Sequence, residues 1–222
     1  MGTRNITRVI SNGDLKVCQY CQWDGYPTGA GQDIIDFIRT TDDDKMAARL
    51  SCVNLAKVTN DGARTFYTGA PYSGLLESIC ADEMEFRNQA DKELRNHHGP
   101  NLPDNWYELM KARTNELLVG KYGQKAIDQW RLAIRDTGCG VLPIIYGSED
   151  FLTLWTEDYL LDNFGDWQIA AVWELDYDKK VLTGWWHGHK HSWIFEELRD
   201  MSDEQVDEVM REFENIDCEE EN

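Results

Sequence analysis

Asn12-Gly13 is the feature that most restricts how this chain folds. Asn and Gly accept positive φ at both central positions of a two-residue type I′ turn, the turn whose twist matches a β-hairpin. The flanking residues fit that reading. Ile6 to Ile10 is strand-like, and beyond the turn Leu15, Val17 and Gln19 alternate with Lys16, Cys18 and Tyr20, as on a pleated strand. A polar-aromatic corner follows, Gln22-Trp23-Asp24-Gly25-Tyr26-Pro27. Pro27 fixes its own φ and biases Tyr26 towards an extended conformation. Gly25 and Gly29 read as conformations closed to other residues. Ile34, Ile35 and Ile38 then supply the apolar stripe of a helix.

Further along, Lys45 to Val53 reads as a second helix and Asn60 to Ala63 as a turn. Thr65 to Tyr67 reads as a short strand, and Leu76 to Leu94 as a helix. His97 to Pro103 reads as a loop, with helices after it around Trp106–Leu117 and Ile127–Ile134. Val141 to Tyr146 suits either a buried helical turn or a strand. Ile169 to Asp176 and Val181 to Trp186 form a second hairpin pattern around Tyr177-Asp178-Lys179-Lys180, and Ser192 to Leu198 adds a strand-like run. Ser202 with Gln205 makes a capping box ahead of a helix whose apolar face is Val206, Val209, Met210 and Phe213. Strands at both ends with helices between them predict an α+β fold. In it the terminal hairpins build one antiparallel sheet and the central helices, about 73–147, pack on it. The expected organisation is one domain over 1–216 with a disordered acidic tail, 217–222.

The charge is uneven. Residues 1–148 carry 17 Lys and Arg against 19 Asp and Glu, whereas residues 149–222 carry 5 against 22. Such an end repels nucleic acid and attracts a basic protein surface. The acidic face of the last helix, Asp203, Glu204, Asp207, Glu208, Glu212 and Glu214, is the expected docking surface. The six cysteines fit reduced, mostly buried thiols, and Met1 to Ile10 lacks the apolar core of a secretory signal. With no apolar run of membrane-spanning length, the expectation is a cytoplasmic protein with no membrane contact.

Two stretches resemble a family of uncharacterised bacteriophage and mobile-element proteins. One is the corner Trp23-Asp24-Gly25-Tyr26-Pro27-Thr28-Gly29 after a hairpin strand. The other is the C-terminal hairpin, Trp173-Glu174-Leu175-Asp176 into Val181-Leu182, ahead of a Ser-capped acidic helix. The helical middle lies outside the resemblance. The family carries no established activity, so no catalytic residue is transferred. The resemblance implies an accessory protein working in a bacterial host cytoplasm; taken with the uneven charge, the expectation is that it binds and inhibits a basic host protein or a nucleic-acid-binding defence complex.

Two other groups of residues could carry chemistry. On an extended strand His187, His189 and His191 point to one side and could hold zinc or another transition metal, with Glu174 or Asp176 orienting a ligand. The reading built on them is a metal-dependent hydrolase of a nucleotide or phosphoester; the alternative is a polar loop. Trp23, Asp24 and Tyr26 suit either a ligand site or a structural corner in which Asp24 closes an Asx-turn and the rings cap the core. Cys18 and Cys21 have redox spacing but sit on a strand, facing opposite ways. No phosphate-loop, nucleophile-elbow or metalloprotease motif is present, and no residue is assigned as catalytic.

Overall fold

The φ angles at Asn12 and Gly13 are 55° and 74°, and they close the turn between β1 (Asn5–Ser11) and β2 (Asp14–Cys21). The computed structural model describes residues 3–58, 73–99, 102–133, 137–149, 151–157 and 169–216. A π-helical turn, Pro27–Gly31, leads into α1 (Gln32–Thr40), followed by α2 (Asp43–Leu50) and β3 (Val53–Val58). Next come α3 (Ser73–His98), α4 (Trp106–Tyr122) and α5 (Gln124–Ala133). The chain continues through α6 (Val141–Gly147) and β4 (Leu152–Glu157). It then forms β5 (Ala171–Asp176), β6 (Val181–Trp186) and β7 (His189–Ile194), and finally α7 (Phe195–Asp200) and α8 (Asp203–Glu214).

The fold is α+β. Its main sheet has the order β2-β1-β5-β6-β7, so the N-terminal and C-terminal hairpins do share one sheet. The pairing is antiparallel except at the seam, where β1 and β5 run parallel. Arg8 crosses that seam, donating from Nε to Glu174 at 3.1 Å. The turns at the same end are also joined. Both Asn12 N–H and Gly13 N–H donate to the Asp178 carboxylate, each at 2.8 Å. These two bonds hold the Asp178 carboxyl below its usual range. Its contribution is therefore present above the unfolded-state value and lost as pH falls through the lowered folded value. Asp178→Ala is expected to speed amide exchange at Asn12 and Gly13 at neutral pH; unchanged exchange there would show that the clamp does not restrain the turn.

Alternation gives the sheet two different faces. Ile6, Cys18, Tyr20 and Val172 cluster on one, with Leu15, Leu55, Ile169 and Trp185 packed against them. Leu55 belongs to β3, which pairs in parallel with β4 as a separate two-stranded sheet. Trp173 dominates the other face. It is fully buried and meets Phe213 of α8 edge-on, ring centroids 6.1 Å apart. Two glycines make room for it: a Cβ on Gly31 or on Gly184 would stand 2.6 Å from its ring. Helices α1, α7 and α8 belong to this layer.

The single domain expected over 1–216 resolves into two compact units, residues 1–62 with 134–222, and residues 63–133. The second unit is a helical bundle in its own right. In it α3 and α4 run antiparallel, joined by Arg113 donating to Glu93 at 2.8 Å and by Asp82 accepting from Lys121 and Tyr122. Among the described residues Ile79, Ala90, Met110, Thr114, Leu118, Ile127 and Trp130 are buried in it. The helices of the sheet-bearing unit include the C-terminal α7 and α8, which the central-helix expectation did not place there, whereas α3, α4 and α5 belong to the second unit.

Other boundaries moved for local reasons. The helix expected to reach Val53 stops at Leu50, and Val53 opens β3. The expected His97–Pro103 loop starts later, since α3 continues through His98. Val141 to Tyr146 is helical. The strand expected over Ser192–Leu198 ends at Ile194, where α7 begins. The expected strand Thr65–Tyr67 and the tail 217–222 lie outside the described residues.

Candidate functional site

The corner that joins β2 to α1 is built by its backbone. Asp24 takes a φ of 54°, and its carbonyl accepts from Ala30 N–H at 2.8 Å. Tyr26 carbonyl accepts from Gly29 N–H at 3.0 Å, and Gly25 N–H donates to Thr3 at 3.1 Å. Gly25 and Gly29 lie outside the left-handed region, contrary to expectation. Close approach is what requires them: a Cβ on Gly29 would sit 2.6 Å from the Asp24 oxygen, and one on Gly25 2.8 Å from the Thr3 oxygen. No side-chain Asx-turn forms at Asp24, so its carboxylate stays available. Of the two rings, that of Tyr26 lies against the buried Trp186, centroids 5.9 Å apart, while that of Trp23 projects outward, 58% exposed.

This geometry places one wall of a cleft of about 520 Å³. Trp23, Asp24, Cys21 and Asn5 line one side, and Asp33, Asp36, Phe37 and Thr40 of α1 another. The α1 residues recur at helical spacing on the side of α1 away from the Ile34, Ile35 and Ile38 core stripe. Thr137, Cys139, Gly140 and Pro143 complete the lining. Burial raises the Asp33 carboxyl above its usual value, and the nearby charges of Asp36 and Asp24 raise it further. Burial, with Asp33 and Cys21 adding to it, pushes the Cys139 thiol up to about 12. Cys139 is thus a protonated wall residue at neutral pH, not a nucleophile. Cys18, the other half of the redox-spaced pair, is buried with its pKa raised by desolvation. Its β1 partner is Arg8, whereas that of Cys21 is Asn5, so the two thiols do face opposite ways.

The acidic helix α8 divides by role. Its capping box is formed, with Gln205 N–H donating to Ser202 and Ser202 N–H to the Gln205 side chain. Asp203 accepts from Arg39 at 2.8 Å and Asp207 from Gln32 at 3.0 Å. Glu214 accepts from the Thr28 hydroxyl at 2.6 Å. These three residues fasten α8 to the corner and to α1. Glu204, Glu208 and Glu212, four residues apart, are exposed and have no ion-pair or hydrogen-bond partner among the described residues. They line an open groove with Asp207, Arg211, Asn215 and Ile216.

The histidines are not arranged as the extended reading expected. His187 and Gly188 form the turn between β6 and β7, with φ of 46° and 89°. A His at the first turn position leaves the strand, so the three imidazoles do not share a face. His187 packs on Trp186 and His191 on Trp193, with centroids 4.3 Å and 4.5 Å apart. The register puts Glu174 opposite Thr183 and His191 opposite Gly184, hence on opposite faces of the sheet. Glu174 pairs with Arg8, and Asp176 accepts from Lys179. Neither carboxylate orients a histidine. Among the described residues no group of three or more His, Cys, Asp or Glu is placed to hold a metal ion.

The acid-lined wall of α1 escaped the sequence reading, although Asp33, Asp36 and Phe37 at helical spacing carry the signal. Among the described residues no helix is long and apolar enough to cross a membrane. No family model, curated protein or solved structure matches this chain.

Proposed function

We propose that this protein is an acidic docking protein that binds a basic surface on a partner protein. Where that surface carries nucleic acid, docking occludes it. In the bacteriophage-type setting that the resemblance implies, the partner is a host nucleic-acid-binding or defence protein and docking inhibits it. The observation that carries the reading is the stripe Glu204, Glu208 and Glu212 on a firmly anchored helix. Like charges four residues apart on a helix repel and weaken it slightly. Here their neighbours Asp203, Asp207 and Glu214 are engaged internally while these three project outward. A cationic partner relieves the repulsion. The net charge of the C-terminal third extends the field beyond contact distance and steers association.

The test is capture of host proteins on the immobilised chain at about 0.1 M and about 0.5 M salt, where the Debye length falls from about 10 Å to less than half of that. The Glu204→Lys, Glu208→Lys, Glu212→Lys triple variant is run in parallel. The expected result is a specific partner held at low salt, lost at high salt, and bound at least about tenfold more weakly by the triple variant. Capture that ignores both salt and charge reversal would rule the reading out.

A further inference from the structure

We propose that the cleft between the Trp23–Asp24 corner and α1 is a receptor for a guanidinium group, and that its occupant is an arginine side chain of the basic partner. The proposal rests on the docking reading for the source of the arginine, and on the cleft alone for its chemistry.

The lining selects for such a ligand by sign, shape and hydrogen-bond polarity. Asp24, Asp33 and Asp36 supply three carboxylates, and no Lys, Arg or His is among the described lining residues. Arg39 reaches Asp36 from the next turn of α1, at 3.3 Å, but its shorter bond of 2.8 Å is to Asp203. Asp24 and Asp33 have no side-chain partner among the described residues, and burial, then the neighbouring charges of Asp36 and Asp24, raise the Asp33 carboxyl. Trp23 and Phe37 add aromatic walls. A planar guanidinium stacks on such a face and sends N–H groups to carboxylates at its edge, which an ammonium does less well.

A second observation is independent of the acids. Asn5 lines the same cleft and is fully buried, yet its Oδ1 accepts no hydrogen bond. Its amide nitrogen is fixed by donation to the Trp23 carbonyl at 3.0 Å. That bond turns Oδ1 towards Gly138, where a Cβ would stand 3.7 Å from it. Gly138 takes a φ of 50°, and a Cβ there would also stand 2.7 Å from that of Cys21, so Gly138 and Cys21 close this side of Oδ1 as a wall. A buried acceptor without a donor is costly. A multi-donor cation entering between the acids and the Cys21–Gly138 wall brings a donor to it.

The occupant is tested with Nα-acetyl-arginine amide, using Nα-acetyl-citrulline amide as the neutral isostere and following residue-specific NMR shifts. The expected result is saturable binding to the intact chain with a Kd of about 1 mM, the range open to a single-residue fragment. Shifts should centre on Trp23, Asp33 and Phe37, citrulline should give none, and Asp33→Asn or Asp36→Asn should weaken binding at least about tenfold. Absence of saturable binding, equal binding of citrulline, or shifts confined to Glu204–Glu212 would overturn the proposal. A partner-capture arm identifies the source. Loss of capture by Asp33→Asn assigns the site to a partner arginine. Capture unaffected by that change while the amide still binds would overturn the partner assignment and leave a free guanidine as the ligand. If no salt-sensitive partner is captured but the amide binds at the cleft, the docking reading fails and the receptor stands.

Discussion

Trp173→Ala is expected to destabilise the sheet-bearing unit by about 4 kcal/mol, the upper range for deleting a buried aromatic. The size follows from position. Trp173 is fully buried at the middle of β5, against the edge of Phe213 and between the open backbones of Gly31 and Gly184. Neither glycine has a side chain that could move into the space, so the cavity stays and its cost is added to the lost transfer energy. Trp173→Phe separates packing from polarity. The indole Nε1 is buried without a hydrogen-bond partner among the described residues, so phenylalanine removes an unsatisfied donor while keeping most of the contact. Its expected cost is only about 1 kcal/mol. The converse changes, Gly31→Ala and Gly184→Ala, overpack the same site and are expected to cost about 1–3 kcal/mol each. Chemical denaturation followed by near-ultraviolet circular dichroism gives all four values. A Trp173→Ala loss below that of Trp173→Phe would contradict this account of the core.

What could be read from the sequence was local. Asn12-Gly13 announced its turn because both residues tolerate positive φ, and Ser202 with Gln205 announced its cap because the two groups satisfy each other across three residues. The α+β class followed from where the strand patterns lay. The parallel seam between β1 and β5 had no local signal, since alternation fixes which way a side chain faces but not which strand lies beside it. The β3–β4 pair was missed because Val53 was absorbed into a helix pattern. Leu152 and Leu154, buried in alternation, carried a signal that was overlooked. The histidine reading failed on a residue that was visible, Gly188. Trp-His-Gly-His at the end of an alternating run is a two-residue turn, and recognising it removes His187 from the strand. The corner glycines Gly25 and Gly29 were visible, but the reason for them was not. They answer to neighbouring backbone rather than to φ, and such contacts appear only after folding.

The ion pair that closes the layer beneath the sheet is expected to be the second largest single contribution, and it carries a pH signature. Arg199 of α7 donates to both Asp43 oxygens, at 3.0 Å and 2.5 Å, and to the Ile38 carbonyl at 3.2 Å. Lys180 stands 3.2 Å from the same carboxylate. Burial alone would raise the Asp43 carboxyl, but the hydrogen bonds and charges of Arg199 and Lys180 outweigh it and leave it below its usual value. A depressed folded value means that this stabilisation is fully present above the unfolded-state value, about 3.9, and is lost as pH falls through the folded one. Asp43→Asn is therefore expected to cost about 1–2 kcal/mol at pH 7 and to converge on the unmodified chain in acid. Arg199→Ala should cost more, about 2 kcal/mol or above, at every pH where Asp43 is ionised, because it also strands the Ile38 carbonyl and leaves Asp43 with Lys180 alone. Urea midpoints between pH 2.5 and pH 7 measure both. An Asp43→Asn deficit that stays constant across that range would show that the carboxylate contributes through shape rather than charge, and that α7 is held to α2 by packing.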